Sequence, residues 1–129
     1  TTEVNDYLVE RTQEILKGTA QSLDVQLSIE DLGTVYDIKN DPELVEYLKE
    51  VASQCPLVKA VTTHSDFGGS EDASIIIKRI QQLFGKCIYF VIGADRTAGH
   101  HQPDFDADEA ALEIGFEMFK GLIRKINGC

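Results

Sequence analysis

Apolar and polar positions recur along this chain with two periods, and the switches between them outline its elements. Between residues 4 and 23, Val4, Leu8, Ile15, Leu16, Ala20 and Leu23 fall near helical spacing, with acidic side chains early and Lys17 later, as a helix dipole prefers. The period then drops to two. In VQLSIED, residues 25–31, Val25, Leu27 and Ile29 share one face and Gln26, Ser28 and Glu30 the other, which predicts a half-buried strand. NDPELVEYLKEVASQ restores the helical period: Asp41 is placed to cap, Pro42 suits the first turn, where no amide hydrogen is needed, and Leu44, Leu48 and Val51 supply the stripe.

After Pro56, LVKAVTTHS is a short β-prone run. Gly68 and Gly69 then break the chain, Ser70 is a plausible cap, and Ala73, Ile76, Ile77, Ile80 and Phe84 follow along one side of a third predicted helix. CIYFVIGA, residues 87–94, is a continuous apolar run ended by a glycine and small residues, which suits a strand buried on both faces. The last predicted helix takes Asp106 as cap with Glu109 three positions on, a capping box, and Leu112, Phe116, Phe119, Ile123 and Ile126 form its stripe. Helices and strands alternate throughout, so the expected class is α/β, a sheet with packed helices. Three short strands are few for four helices, which suggests a piece of something larger. The expected boundary is DLGTVYDIKN, residues 31–40.

Composition narrows the partners. Within 129 residues, 12 Lys and Arg against 22 Asp and Glu leave a net charge of −10, which repels nucleic acid and anionic lipid surfaces. No apolar run approaches the roughly 20 residues of a membrane span, and the chain opens without a signal-peptide pattern. Cys55, Cys87 and Cys129 are odd in number and lack CxxC spacing, so they read as reduced thiols of a cytoplasmic protein.

Two segments are candidates for chemistry. AGHHQPDFDADEAAL, residues 98–112, carries His100, His101 and a run of acids before a helix. Asp104, Asp106 and Asp108 alternate as in a calcium loop. Counted from Asp104, however, the sixth position is Glu109 instead of glycine and the twelfth is Gly115 instead of glutamate, so an EF-hand is excluded. A histidine in such a loop is a sensible metal ligand, but one histidine cannot hold a metal, and HExxH, CxxC and HxH patterns are absent. A solvent-facing loop without chemistry remains open. In the second segment, FGGSED, residues 67–72, glycines before a helix start expose amides that can receive a carboxylate or polar amide; a plain glycine turn remains the alternative. His64, just upstream, reads as structural or exposed. A GxSxG elbow is missing, and the cysteines lack an electropositive setting.

Together the two segments carry a resemblance. GGSEDASIIIKRIQ, then a strand, then YFVIGADRTAGHHQPDFDADEAAL resembles the C-terminal part of the two-metal amidohydrolases and peptidases, which include aminoacylases, glutamate carboxypeptidase and auxin-conjugate hydrolases. The p-aminobenzoyl-glutamate hydrolase branch is most similar, through AGHH and FDADE, and the likeness spans residues 67–115. It implies a mixed sheet with packed helices. Residues 1–33 would be the end of a lid or dimerisation domain and residues 34–129 the C-terminal part of the catalytic domain. His101, two before Pro103, matches the family's last metal ligand, with His100 its neighbour. Gly69, Ser70 and Glu71 match the loop near the substrate carboxylate, and Asp106 and Glu109 the helix start behind the ligand, where capping is the favoured role.

The complete enzyme implied by this resemblance holds two divalent ions, zinc or manganese, which polarise an amide carbonyl and acidify a bridging water, with a glutamate as general base. The substrate would be a small N-acyl amino acid or aminobenzoyl-glutamate-like amide. The other ligands and the base would lie in an N-terminal half that has no counterpart here, so the 129-residue piece alone is expected to be inactive and, with an exposed docking face, to self-associate into a homo-oligomer. Two rival readings stand beside this one. One is a non-enzymatic α/β module that binds an acidic ligand at the FGGSED turn, and the other is an interaction domain without a site.

Overall fold

The structure, a computed structural model, describes residues 1–63 and 71–128. Its helices are α1 (Thr2–Ser22), α2 (Pro42–Gln54), α3 (Ala73–Gln82) and α4 (Ala110–Asn127). The chain divides into two units, Thr1–Ile38 with Gly68–Leu83, and Lys39–Phe67 with Phe84–Cys129.

In the first unit, Thr1 caps α1 by accepting from the Val4 amide at 3.4 Å, and Glu3 complements the dipole in the first turn. The helix closes in a Schellman arrangement: the Asp24 amide donates to Gln21 O at 3.4 Å and the Val25 amide to Ala20 O at 3.0 Å. Asp24 occupies the left-handed position, φ 50°, that glycine usually fills. The segment before residue 38 ties back to both helices of this unit. Asp37 pairs with the Thr2 hydroxyl and its amide donates to Thr2 Oγ1 at 3.1 Å, while the Tyr36 amide donates to Ser74 Oγ of α3 at 3.0 Å. Ser74 is fully buried and satisfied by that bond, and Lys78 Nζ lies 3.4 Å from the centre of the Tyr36 ring. The buried face of α3 is Ser74 and Ile77; Ile76, Ile80 and Phe84 of the expected stripe are exposed.

In the second unit α2 packs on α4. Leu44 and Ala52 of α2 and Met118 and Leu122 of α4 are buried there. Lys125 pairs with Glu50 across the two helices and lies over the Tyr47 ring at 5.2 Å. Pro42 opens α2 as its spacing predicts, but Asp41 makes no side-chain cap bond. Its carboxylate is engaged elsewhere: Asp41 Oδ2 accepts from the Cys87 amide at 2.7 Å, and the Asp41 amide donates to Cys87 O at 3.0 Å. Asn40 repeats the pattern one step away. Its side-chain amide donates to Tyr89 O and its Oδ1 accepts from the Tyr89 amide, both at 2.7 Å. The side chains of Asn40 and Asp41, with the Asp41 backbone amide, therefore occupy the backbone groups of residues 87 and 89 in the manner of a neighbouring strand. Burial raises the Cys87 thiol above its ordinary range, with the Asp41 carboxylate adding to the effect, so this cysteine is held as the unreactive thiol.

Three sequence expectations are corrected here. The segments expected to be strands form no ladder among the described residues, whose β-pairing is the isolated antiparallel bridge Arg96 with Ala107. The physical reason is a shortage of partners, because a strand's amides and carbonyls are satisfied only by a neighbour. VQLSIED belongs to the first unit and CIYFVIGA to the second, and Val25, Leu27, Ile29 and Val91 remain exposed. Second, the expected stripe of α4 faces outward: Leu112 is 73% and Phe116 63% exposed, against 4% for Met118. α4 is apolar on two sides, and α2 covers the side with Met118 and Leu122. Third, the capping box does not form. Glu109 stands at the cap of α4 without a side-chain bond, and Asp108 Oδ1 instead accepts from the Ala110 amide at 3.0 Å. Among the described residues no helix is long and apolar enough to cross a membrane.

Candidate functional site

The histidine segment is built as a narrow hairpin in front of α4. Its neck is residues 95–97 against residues 106–108, with the Thr97 amide donating to Asp106 O at 3.0 Å and the Asp108 amide to Asp95 O at 2.9 Å. The Thr97 hydroxyl adds to the neck by donating to Asp104 O at 2.6 Å and accepting from the Asp106 amide at 2.9 Å. Asp106, the expected cap, is thus absorbed into the neck, and its own carboxylate accepts from the Ala107 amide at 2.9 Å. This is why it does not reach the helix.

At the tip, the Gly99 amide donates to Gln102 Oε1 at 3.1 Å and the Gln102 amide returns to Gly99 O at 3.3 Å, a turn that encloses both histidines. His101 sits in the left-handed region at φ 63°, where a β-carbon is strained, and it is exposed. His100 stacks on Phe105 with ring centres 5.3 Å apart. One imidazole is therefore engaged with an aromatic ring inside the loop, while its neighbour is presented outward. An exposed imidazole suits one coordination position of a borderline divalent ion. Among the described residues no three His, Cys, Asp or Glu side chains come together, so further ligands would have to come from elsewhere.

Of the other predicted residues, Glu71 precedes α3 in the first unit, and its carbonyl accepts from the Ser74 amide at 3.0 Å. Gly69, Ser70, His64 and Cys129 lie outside the described residues. Thr97 and Gln102 went unnoticed in the sequence. The signal for Thr97 is a hydroxyl residue at the end of an apolar run, facing a returning acidic segment across a short loop.

Residues 6–125 match the model of peptidase family M20/M25/M40. The chain is 39% identical over 123 residues to a Haemophilus influenzae homolog of a p-aminobenzoyl-glutamate hydrolase subunit, covering 95% of this chain and 29% of that protein. It is 34% identical over 118 residues to the indole-3-acetyl-aspartic acid hydrolase of Enterobacter agglomerans, covering 91% and 27%. It is 31% identical over 134 residues to the N-acetyldiaminopimelate deacetylase of Streptococcus sanguinis, covering 98% and 33%. No solved structure gives a significant match. The chain belongs to peptidase family M20/M25/M40, an α/β family. It spans about three tenths of the length of these curated relatives.

Proposed function

We propose that this chain is part of a metal-dependent amide hydrolase whose substrate is an N-acyl amino acid or an aminobenzoyl-glutamate-like amide. The reading rests on family membership across residues 6–125, and the relatives named for amide hydrolysis support it. In it His101 supplies one imidazole ligand from the hairpin tip. Gly69, Ser70 and Glu71 belong to the wall that meets the substrate's carboxylate. Residues 1–33 end a lid domain and residues 34–129 belong to the catalytic domain, where the apolar segments 57–65 and 87–94 enter a mixed sheet completed by the rest of a cytoplasmic protein. Two zinc or manganese ions, when bound, supply Lewis-acid polarisation of the scissile carbonyl. The chain's own part is to hold an imidazole at a fixed point on a rigid hairpin.

The exposed stripe Leu112, Phe116, Phe119, Ile123 and Ile126 supports a larger assembly, since an apolar face of this length is ordinarily covered. The test is amide hydrolysis by the full-length gene product with added zinc or manganese. The expected result is activity that falls at least about a hundredfold in His101→Ala. Full activity in that variant would overturn the assignment of His101. A full-length product inert with either metal would favour the module that binds an acidic ligand.

A further inference from the structure

We infer that Thr97 is the positioning residue of the His101 hairpin, its hydroxyl holding the neck at a spacing that presents the imidazole outward. The inference rests on the proposed role of His101 as a metal ligand and adds a residue that contributes no ligand itself.

The neck is short. Its two backbone bonds, Thr97 to Asp106 and Asp108 to Asp95, flank the lone bridge between Arg96 and Ala107. Beyond Thr97 the chain leaves antiparallel pairing, and residues 98–105 form the loop. At that point the Asp104 carbonyl and the Asp106 amide both turn toward residue 97, and the threonine hydroxyl serves both, donating to the first at 2.6 Å and accepting from the second at 2.9 Å. One side-chain oxygen therefore closes the loop where the backbone ladder ends. Serine, threonine and asparagine side chains stand in for backbone groups in this way at turns.

The closure matters because His101 is in a conformation that a free loop would not hold. A non-glycine residue at φ 63° persists only where its surroundings over-determine it. The tip has a contact of its own between Gly99 and Gln102, and its link toward the neck runs through the Gln102 carbonyl, which accepts from the Phe105 amide at 3.1 Å. Phe105, which carries the stack with His100, lies between Asp104 and Asp106, the two residues whose backbones Thr97 binds. Releasing them frees the platform under the adjacent imidazole. Groups that orient a ligand without touching the metal typically change affinity by about 10–100-fold when removed.

The experiment uses the full-length protein stripped of metal and titrated with Zn²⁺ alone, with thermal unfolding of the metal-free protein recorded in parallel. Thr97→Val keeps the shape and the backbone amide but loses the hydroxyl, whereas Thr97→Ser keeps the hydroxyl. The expected result is Zn²⁺ affinity roughly tenfold weaker in Thr97→Val, within about twofold of the parent in Thr97→Ser, and unchanged metal-free unfolding in both. His101→Ala reports separately on the underlying reading. If His101→Ala binds Zn²⁺ as the parent does, the ligand assignment fails and this inference with it. If His101→Ala is weakened while Thr97→Val is not, the positioning role alone is wrong. Should Thr97→Val unfold early, the serine variant decides: parental affinity upholds the hydroxyl's role, and a tenfold loss overturns it.

Discussion

Gly121 of α4 lies beneath Val51 of α2 so closely that a β-carbon at residue 121 would meet Val51 Cγ1 at 2.5 Å. The two helices approach where α4 presents the second of its two glycines, one residue before buried Leu122. Gly121→Ala would gain up to about 1 kcal/mol of helix propensity. It would also force Val51 or the helix axis to move, at a typical overpacking cost of about 1–3 kcal/mol. The expected outcome is a net destabilisation of about 1 kcal/mol, read as a lower denaturation midpoint. A stabilised variant would mean that α2 yields without loss.

Asp24 offers the opposite case. It holds a left-handed turn at φ 50° that closes α1, and an aspartate there carries a steric cost that glycine escapes. Asp24→Gly should stabilise the protein by about 0.5–1 kcal/mol, after allowance for the extra freedom glycine gives the unfolded chain. Equilibrium unfolding of the two proteins side by side checks this, and a loss of stability would show that the aspartate carboxylate contributes something the backbone geometry does not reveal.

Glu43 and Lys86 predict the pH response of the second unit. Hydrogen bonding to Lys86, with a further bond from Tyr47, lowers the Glu43 carboxyl below its ordinary range, and the same pairing raises Lys86 above its own. A depressed acid stabilises the fold above its unfolded pKa and loses that contribution as pH falls through the folded value. A raised lysine stabilises it below its unfolded pKa and loses that as pH climbs through the folded value. The pair therefore contributes between about pH 5 and pH 10, weakly and in a salt-sensitive way, since both groups face water. In Lys86→Met the Glu43 carboxyl should titrate at higher pH, as followed by NMR. An unmoved midpoint would show the pairing is not populated in solution.

Much of this architecture is legible in the sequence, and the gaps have physical causes. The helices follow from period and punctuation: Pro42 opens α2, and acids precede α4. Their faces are harder to read, because α4 carries an apolar stripe on either side of its axis and nothing within the helix says that Met118 and Leu122 will be buried while Leu112 and Phe116 stay exposed and Phe119 meets the Phe90 ring, 5.0 Å away. Cap assignment failed for a related reason. Asp41 and Asp106 have the spacing of caps, yet neither carboxylate serves its helix: that of Asp41 accepts from the distant Cys87 amide, and that of Asp106 from the adjacent Ala107 amide while its backbone joins the hairpin neck. CIYFVIGA has the composition of a strand, but pairing requires a neighbour, and the described residues offer it two side chains instead. His101 stands out through its spacing from Pro103. Thr97 does not, since its role arises only when residues 95–97 meet residues 106–108.

The route of the chain through its two units has a consequence for biogenesis. Neither unit is a single stretch: the first takes Thr1–Ile38 and then Gly68–Leu83, and the second takes the intervening segment and the remainder. A ribosome delivering this chain cannot complete the first unit until residue 83 has emerged, and by then the opening part of the second must already be waiting, unfinished, for α4. Closure of such interleaved units demands contacts far apart in sequence, which slows folding and prolongs the exposure of apolar segments. No single cut can separate the two units, because any break in the chain leaves at least one of them divided between the two pieces or still carrying a segment of the other.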